Sequence, residues 1–186
     1  MGNVVIDMSM SLDGYIAAPN DNPEQGLGED GMRLHNWAFD DPSVFEAFYG
    51  DLVQETGAVI MGRRSYDNSI EAWGGKAPFG DVPCFVVTNR PLEPSDSLFT
   101  VTDGIESALA KAQEAAGEKR IGLMGANIDQ QFLAAGLVDE MRIHVIDVLL
   151  GGGRRLFDEL PQRVELEQTG VTQTGGVTHL EYRVVR

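Results

Sequence analysis

The chain has 186 residues, of which 42% are hydrophobic and 23% charged, as expected for one globular domain, and we predict a single domain over residues 1–186. Its net charge of −15 argues against a nucleic-acid partner, because a phosphate backbone requires a basic surface. Its single cysteine, Cys84, excludes an internal disulfide and fits a reducing cytoplasm. The first residues have no basic n-region and contain Asp7, unlike a signal peptide, and no apolar run approaches the roughly 20 residues of a membrane span, so we expect neither.

The chain opens with a predicted strand and a turn. Val4 to Met10 is apolar at most positions, although it carries Asp7, and this pattern favours a strand. Residues 11–17, SLDGYIA, follow as a turn with Asp13 and Gly14 at its tip.

A long polar segment then leads into a helix. Residues 18–41 are rich in Pro, Asn, Asp and Gly, with Trp37 and Phe39 as the large anchors. A loop of this length in a compact domain is often a lid or a binding loop; the alternative is a disordered insertion. A helix is predicted from Pro42, with Asp41 as its N-cap.

The stretch from Val59 to Asp67, VIMGRRSYD, predicts a buried strand that ends in a tight turn and opens a helix. A helix start presents free backbone N–H groups, which suit a phosphate. Arg63 and Arg64 add charge that can bind phosphate oxygens. The alternative is a plain strand-to-helix connection with two solvated arginines.

Similar junctions recur later in the chain. Strands predicted at 82–88, 121–124 and 141–149 run into TNRP, GAN and GGGRR, respectively. Asp103 and Glu106 have the spacing of a capping box, and a short strand at 99–102 precedes it. Glycines end the two helices that follow, Gly117 for the first and Gly136 for the second.

The order of these elements predicts an α/β fold with a largely parallel sheet covered on both faces. The segments 164–171 and 177–185 are joined by Thr-Gly-Gly, which predicts an antiparallel hairpin at one edge. Because ligands of such sheets bind at the carboxyl ends of the strands, the polar and glycine-rich strand ends predict a phosphate or nucleotide site.

Several motifs, in chain order, are similar to those of a known family: SLDGYIA, VIMGRRSYD, FVVTNRP, GLMGANIDQQFLAAGLVDEM and VLLGGGRRLF. Together they resemble the dihydrofolate-reductase-like superfamily, and most closely the reductase domain of the riboflavin-biosynthesis deaminase-reductase and its stand-alone relatives. The resemblance covers nearly the whole chain and implies a three-layer sandwich, a homodimer and NADPH as cofactor. We expect no zinc deaminase domain, because Cys84 and three scattered histidines do not provide the residues of a metal cluster.

The resemblance also implies which residues hold NADPH. The GRRS and GAN junctions match the pyrophosphate site, TNR matches the contacts with the adenosine ribose and its 2′-phosphate, and SLDGYIA lies by the nicotinamide. The GGGRR turn lies near the cofactor or at a dimer contact. The implied cofactor-binding residues are Ala17, Gly62, Arg63, Arg64, Ser65, Thr88, Asn89, Arg90, Gly125, Ala126, Asn127, Ile128 and Gly152.

The implied chemistry is hydride transfer to a C=N or C=O carbon of a pteridine-, pyrimidine- or riboflavin-precursor-like heterocycle. A carboxyl group near the acceptor nitrogen can protonate it or hold a substrate N–H. Asp13 matches a substrate-facing residue of the riboflavin branch, with a turn-forming role as the alternative. Glu46 lies at about the separation from VIMGR at which the folate branch carries its substrate carboxylate; the alternative is an ordinary exposed helix glutamate.

One departure from the family pattern keeps a second hypothesis open. Riboflavin-pathway reductases usually carry Glu-Gly-Gly where this chain has Met124, Gly125 and Ala126. A non-catalytic nucleotide-binding protein that kept the fold would account for the missing glutamate. A purely structural dimer, whose arginines form surface ion pairs, is the third reading.

Overall fold

The computed structural model describes residues 2–92, 98–158 and 160–185. The strands in this part of the chain are β1 (Val4–Ser11), β2 (Tyr15–Ala17), β3 (Thr56–Gly62), β4 (Cys84–Val87), β5 (Phe99–Thr102), β6 (Arg120–Met124), β7 (Glu140–Ile146), β8 (Arg154–Arg155), β9 (Glu165–Thr174) and β10 (Val177–Val185). The α-helices are α1 (Asn36–Phe39), α2 (Pro42–Glu55), α3 (Arg63–Ser69), α4 (Ile105–Ala116) and α5 (Ala126–Ala134), and a 3₁₀ helix spans Gly31–Leu34.

In the described residues, eight of the strands form one sheet in the order β5-β4-β3-β6-β1-β7-β10-β9. All pairings from β5 to β7 are parallel, whereas β10 pairs antiparallel with both β7 and β9. The predicted C-terminal hairpin therefore occupies one edge. The two remaining strands, β2 and β8, form a separate antiparallel ribbon.

The alternation of side chains along β3 gives the sheet two apolar faces. Ala58 and Ile60 join a core cluster with α4 and α5, whereas Val59 and Met61 join a second cluster that includes Tyr66 of α3. Both faces of a parallel sheet must be covered, and helices cover both of these. The predicted three-layer α/β sandwich is confirmed.

Of the two predicted helix N-caps, the one at Asp41 is confirmed and the one at Asp103 is wrong. The helix start at Pro42 is confirmed, with the Ser43 N–H donating to the N-cap Asp41 at 2.9 Å. The predicted capping box at Asp103 is wrong, because α4 begins one residue later. Its N-cap is Gly104, without a side-chain cap, and this shift takes Asp103 out of the capping position.

The strand predicted at 141–149 ends earlier, at Ile146. The Val148 N–H donates to the Ile146 carbonyl at 2.8 Å, and the Val148 carbonyl accepts from the Leu12 N–H at 2.9 Å. The chain therefore turns at this point and meets the turn that follows β1.

The segment 18–41 is folded, which contradicts the disordered-insertion alternative. Ala18 donates to the Leu27 carbonyl at 2.8 Å and Glu29 to the Pro19 carbonyl at 3.0 Å, and the 3₁₀ helix and α1 follow. Across the described residues, no helix has the length and apolar character needed to cross a membrane.

Candidate functional site

Apart from Glu46, the predicted site residues lie in a row at the carboxyl ends of the parallel strands. The strands β4, β3, β6, β1 and β7 are consecutive neighbours and parallel, so their carboxyl ends meet at the same edge. Neighbouring strands lie about 4.8 Å apart, so these five ends span about 19 Å. TNR, GRRS, GAN, SLDG and GGGRR follow these ends in that order.

The junctions after β3 and β6 pack directly on each other. Gly125 has φ of 108°, and a Cβ there would lie 2.2 Å from Ser65 Oγ. A Cβ on Gly62 would lie 3.4 Å from Ile128 Cγ1. Only glycine permits the close contact between residue 125 and Ser65. This contact brings the N-terminus of α5 to the start of α3. The first N–H groups of α5 have no partner within the helix.

The other side chains at these junctions differ in their access to this edge. The Ile128 side chain is buried in the core, and its N–H donates to the Gly125 carbonyl at 3.0 Å. Asn127 is exposed and its Oδ1 accepts from Gln131 Nε2 at 2.7 Å. Ala126 is partly buried against the core.

Arg63 and Arg90 both lie close to Asp67 on α3. Arg63 Nε donates to Asp67 Oδ1 at 2.7 Å and its Nη1 donates to the Pro91 carbonyl at 2.9 Å. Arg90 Nη2 lies 3.8 Å from Asp67 Oδ2, with 69% of its side chain exposed. The ends of β3 and β4 are thus joined through charged groups, and the Arg90 side chain is open to solvent.

Arg64 has a different partner from the predicted phosphate. It donates to Asp21 through Nε at 2.6 Å and Nη2 at 2.9 Å, and Arg154 Nε lies 3.4 Å from the same carboxylate. Burial opposes ionisation of Asp21, but the hydrogen bonds from Arg64 and the charge of Arg154 outweigh it, so the pKa of Asp21 is lowered. In this structure Arg64 anchors the 18–41 segment to α3.

A cavity of about 600 Å³ opens at the end of β4. Its lining includes the predicted Thr88, Asn89 and Arg90 together with Ser107 and Lys111 of α4. Sequence analysis missed these two residues. Their spacing of four places them on one helix face, and Lys111 is one of only three lysines in the chain, which is the signal that could have drawn attention to them.

The ribbon of β2 and β8 brings Ala17 and the glycine turn together. A Cβ on Gly153 would lie 2.0 Å from the Ala17 carbonyl oxygen, and one on Gly152 would lie 3.4 Å from Pro19 Cγ. Gln130 of α5 donates to the Leu156 carbonyl at 3.0 Å. The GGGRR turn therefore packs on Ala17 and Pro19, at the end of the SLDGYIA segment and next to α5.

Both carboxylate oxygens of Asp13 have partners within the chain. Oδ1 accepts from Ser11 Oγ at 2.6 Å and from the Leu150 N–H at 3.0 Å, and Oδ2 accepts from the Gly151 N–H at 2.7 Å. These hydrogen bonds, led by that of Ser11, lower the pKa of Asp13. Asp13 is therefore ionised at neutral pH and joins the turn after β1 to the turn after β7.

Glu46 is not brought together with the other predicted residues. It is exposed on α2, and its Oε1 lies 2.7 Å from where a Cβ on Gly50 would stand, so the side chain follows the outer surface of the helix. The side of α2 that meets the sheet carries Phe48 and Tyr49 instead. The ordinary exposed-glutamate alternative describes its position.

A buried polar cluster under α2 was not identified from the sequence. His144 Nε2 lies 3.1 Å from Asp7 Oδ1, and His144 Nδ1 lies 2.7 Å from His179 Nδ1. Burial, and then the neighbouring His144, lower the pKa of His179 to about 4. Trp37 and Phe48 contact both imidazole rings.

Polar residues on a strand at every second position, such as Asp7 and Ser9 of β1, indicate one polar stripe on the sheet. That pattern could have drawn attention to β1. Nothing local could have joined it to histidines more than a hundred residues away.

Asp129, on the first turn of α5, is fully buried, and neither of its carboxylate oxygens has a hydrogen-bond partner in the described residues. Burial alone raises its pKa well above the usual value for aspartate. The carboxyl group is therefore held in its neutral form over a wider pH range than an exposed aspartate.

Comparison with known proteins gives a consistent result. The family model of the RibD C-terminal domain matches residues 3–180. The uncharacterized protein YwjB of Bacillus subtilis (strain 168) is 29% identical over 179 residues, covering 96% of this chain and 95% of that protein.

Solved structures give the same picture. A protein from Shewanella sp. PV-4 described as a "Putative riboflavin biosynthesis protein" superposes with a TM-score of 0.76 at 25% identity, covering 100% of both chains. Dihydrofolate reductase from Enterococcus faecalis, complexed with NADP(H), superposes with a TM-score of 0.65 at 16% identity, covering 98% of this chain and 96% of that chain. The fold is dihydrofolate-reductase-like.

Proposed function

Because the chain belongs to the RibD C-terminal domain family, we propose that it is an NADPH-dependent reductase. It transfers a hydride to a C=N or C=O group of a pteridine-, pyrimidine- or riboflavin-precursor-like heterocycle, as a 5-amino-6-(5-phosphoribosylamino)uracil reductase does. The partner is a small molecule. The observation that carries the proposal is the row of five parallel strand ends that bear glycine, arginine and small polar residues.

The residues along this row fit a dinucleotide. Arg90 and Lys111 at the cavity beyond β4 suit the adenosine end and its 2′-phosphate. The close approach at Gly125 exposes backbone rather than side chain where a pyrophosphate would bind. Ala17, on the ribbon beside α5, suits the nicotinamide end.

NADPH, when bound, supplies the hydride. The protein's part is orientation and exclusion of water from the reacting groups. Asp13, ionised and tied to Leu150 and Gly151, holds the two turns that border the nicotinamide end. An ionised carboxylate can hold a substrate N–H but cannot donate a proton, so the first of these two roles is the one that we propose for Asp13.

We further propose that the protein is a homodimer. The outer strand β9 is exposed along most of its length, including Leu166 and Val171, whose side chains are 42% and 57% exposed. A long, exposed edge strand with apolar side chains favours self-association.

A second candidate is a nucleotide-binding protein without turnover. Met124 stands where riboflavin-pathway reductases usually carry glutamate, and this observation favours that candidate. It predicts NADPH binding with no oxidation by any carbonyl or imine acceptor.

Fluorescence titration with NADPH and NADH, with Trp37 and Trp73 as reporters, tests the proposal. Micromolar binding selective for NADPH, followed by NADPH oxidation with heterocyclic acceptors, is the expected result. Binding without oxidation would favour the second candidate, and no binding of either nucleotide would reject both functions.

A further inference from the structure

We propose that the buried carboxyl group of Asp129, in the first turn of α5, couples nucleotide binding to a proton. Its neutral form permits a pyrophosphate to bind at the N-terminus of α5, and its ionised form opposes that binding. The inference rests on the proposed function, because it concerns the end of α5 at which the pyrophosphate of NADPH would bind. It goes beyond that function by assigning a proton to the binding step.

The carboxyl group lies close to the N-terminal end of the helix. Asp129 is the fourth residue of α5, which begins at Ala126, so the two Cα atoms lie about 4.5 Å apart along the helix axis. The Ile128 and Asp129 N–H groups both donate to the Gly125 carbonyl, at 3.0 and 3.1 Å. The N–H groups of Ala126 and Asn127 precede these bonds and have no partner within the helix, so they are the donors that an anion would meet.

The Asp129 side chain is enclosed by the protein. It is fully buried, and in the described residues neither of its oxygens has a hydrogen-bond partner. Ile128, Phe132 and Leu133 of the same helix are buried in a main apolar core. A carboxylate without water or a donor is far more costly to bury than the neutral acid. Burial therefore favours the neutral form, in agreement with the raised pKa of this group.

The elements that pack against α5 offer no buried cation to Asp129 in the part of the chain that the structure describes. β3 carries no ionisable side chain. On β6 the one ionisable residue is Arg120, at the opposite end of the strand, where it pairs with Glu55 at 3.0 Å. The ionisable residues of α4 are all exposed: Glu106, Lys111 and Glu114.

The charged groups of the neighbouring junctions have other partners. The arginines of GRRS and GGGRR pair with Asp67 and Asp21, except for Arg155, whose guanidinium lies 4.7 Å from the centroid of the Tyr15 ring. Asp7 of β1 lies on the other face of the sheet, beneath α2. An ionised Asp129 would therefore direct an uncompensated negative charge towards the N-terminus of α5.

A carboxylate and a phosphate would compete for the same helix end. The N-terminus of a helix carries a partial positive charge that stabilises either a carboxylate of the first turn or a bound phosphate. While Asp129 is neutral, this partial charge and the free N–H groups remain available to a pyrophosphate. When Asp129 ionises, its charge offsets the helix dipole and repels the phosphates through an apolar region, where screening by salt is weak.

The same coupling predicts that a proton is taken up on binding. A ligand that binds the neutral form of an acid more tightly raises the pKa of that acid. Where part of the free protein is ionised, the Asp129 carboxylate then accepts a proton from solvent as the nucleotide binds, and no other bond changes.

Infrared spectroscopy of the intact protein tests the protonation state without a ligand. The C=O stretch of a protonated carboxyl group is separate from the bands of carboxylates and of the peptide backbone. At pH 6.5, where exposed carboxyl groups are ionised, we expect this band in the natural chain and not in Asp129→Asn. The same band in both proteins, or no band in either, would overturn the proposal.

Fluorescence titration with NADPH between pH 6.5 and pH 9 tests the coupling itself. The affinity of the natural chain should fall about threefold or more over this range, beyond any change in Asp129→Asn, which cannot ionise. Calorimetry in buffers of different ionisation enthalpy should show more proton uptake by the natural chain than by the variant. Equal changes in affinity with equal proton uptake would contradict the coupling.

NADH distinguishes this effect from titration in the cavity at the end of β4. Both nucleotides carry the pyrophosphate, so the fold-change caused by Asp129 should be the same for NADH and NADPH. Titration of Lys111 or of the 2′-phosphate would change the affinity for NADPH alone, and that result would remove Asp129 from the coupling. Glu114→Gln, at an exposed position of α4, is the matched control and should follow the natural chain.

A second variant and the natural chain by itself guard against a folding defect. Asp129→Leu matches the apolar side chains around it and should keep NADPH affinity with the pH response of Asp129→Asn. If neither variant folds, the infrared band of the natural chain decides. NADPH should raise the pH at which that band disappears, and an unchanged pH would refute the coupling.

The two proposals fail in different ways. No binding of either nucleotide at any pH would reject the proposed function and this inference with it. Nucleotide binding with the same pH response in the natural chain and in Asp129→Asn would reject this inference and retain the reductase.

Discussion

Asp21 shows how a single buried carboxylate changes the role of nearby cations. It is 9% exposed and accepts hydrogen bonds from Arg64 and from Asn68 Nδ2, with Arg154 close by. Arg64 and Arg154 therefore hold the 18–41 segment in place. They also lie near the strand ends at which the cofactor is predicted to bind.

Replacing Asp21→Asn should lower the free energy of unfolding at pH 7 by about 1–3 kcal/mol, because two cations lose their negatively charged partner and an NH2 group replaces one of the two acceptor oxygens. The pKa of Asp21 is lowered in the folded state. Its stabilisation of the fold is therefore fully present above the pKa of aspartate in the unfolded chain, about 3.9. This stabilisation is lost as the pH falls through the folded-state pKa. Urea unfolding at several pH values measures this. The exposed Asp40→Asn serves as control, and an equal loss at pH 3 and pH 7 would contradict the prediction.

Asp129 has the opposite linkage. Its pKa is raised by burial, so its stabilising contribution is present below the unfolded pKa and is lost as the pH rises through the folded value. We expect Asp129→Asn, which cannot ionise, to give a shallower decline of unfolding free energy between pH 5 and pH 8 than the natural chain. Thermal or urea unfolding across that range measures the slope, and parallel slopes would show that Asp129 does not titrate there.

At the scale of elements, the junction between β6 and α5 depends on Gly125. A side chain there must adopt φ of 108° and meet Ser65 Oγ at 2.2 Å. Gly125→Ala should therefore lower the unfolding free energy by about 1–3 kcal/mol and weaken NADPH binding. Adding Ser65→Ala should restore part of the stability, since it removes the collision but not the backbone strain.

Gly122→Ala is the matched control for this prediction. Gly122 lies on β6, three residues before Gly125, and a Cβ there would lie 3.9 Å from its nearest neighbour, Thr56 Cγ2. Urea unfolding and NADPH titration of the three variants give the comparison. Equal losses at 122 and 125 would argue against a special role for the junction.

We expect the cavity between β4, β5 and α4 to determine the preference for NADPH over NADH. Arg90→Ala should weaken NADPH binding roughly ten- to a hundredfold, as expected for loss of a hydrogen bond to a charged group, and should affect NADH much less. Lys111→Ala should act in the same direction, and Lys119→Ala, near the far end of α4, should not. Fluorescence titration measures both nucleotides, and equal losses for both would remove the 2′-phosphate from this cavity.

At the scale of the whole molecule, the edge strand β9 exposes apolar side chains to solvent. The hairpin of β9 and β10 extends the sheet beyond β7, and Leu166 and Val171 remain exposed on β9. A surface of this kind is consistent with the proposed homodimer.

We expect light scattering after size-exclusion chromatography to give twice the mass of one chain. Val171→Lys should shift the protein towards monomer, because a charge on an apolar interface is costly to bury. Val101→Lys, at an exposed position on the opposite edge strand β5, is the control. A monomer at all concentrations tested would reject the dimer.

Local sequence patterns determined the elements and their order. The strand–glycine–helix junctions at Gly62 and Gly125, the N-cap at Asp41 and the hairpin at 174–176 depend on periodicity and turn chemistry within a few residues. The alternation of strands and helices and the C-terminal hairpin then predicted the sandwich. Boundaries were less predictable, as at Ile146, because a distant hydrogen bond from Leu12 turns the chain there.

Tertiary structure decided which side chains meet. The sheet order places β1 beside β7, and so joins Asp7 to His144 across 137 positions. Tertiary packing also pairs Arg64 with Asp21 and places Lys111 in the lining of the cavity at the end of β4. It leaves Glu46 exposed on the outer side of α2. None of these positions follows from local sequence, because each depends on how elements that are distant in the chain pack together. That packing is determined by the burial of both faces of the sheet rather than by any one motif.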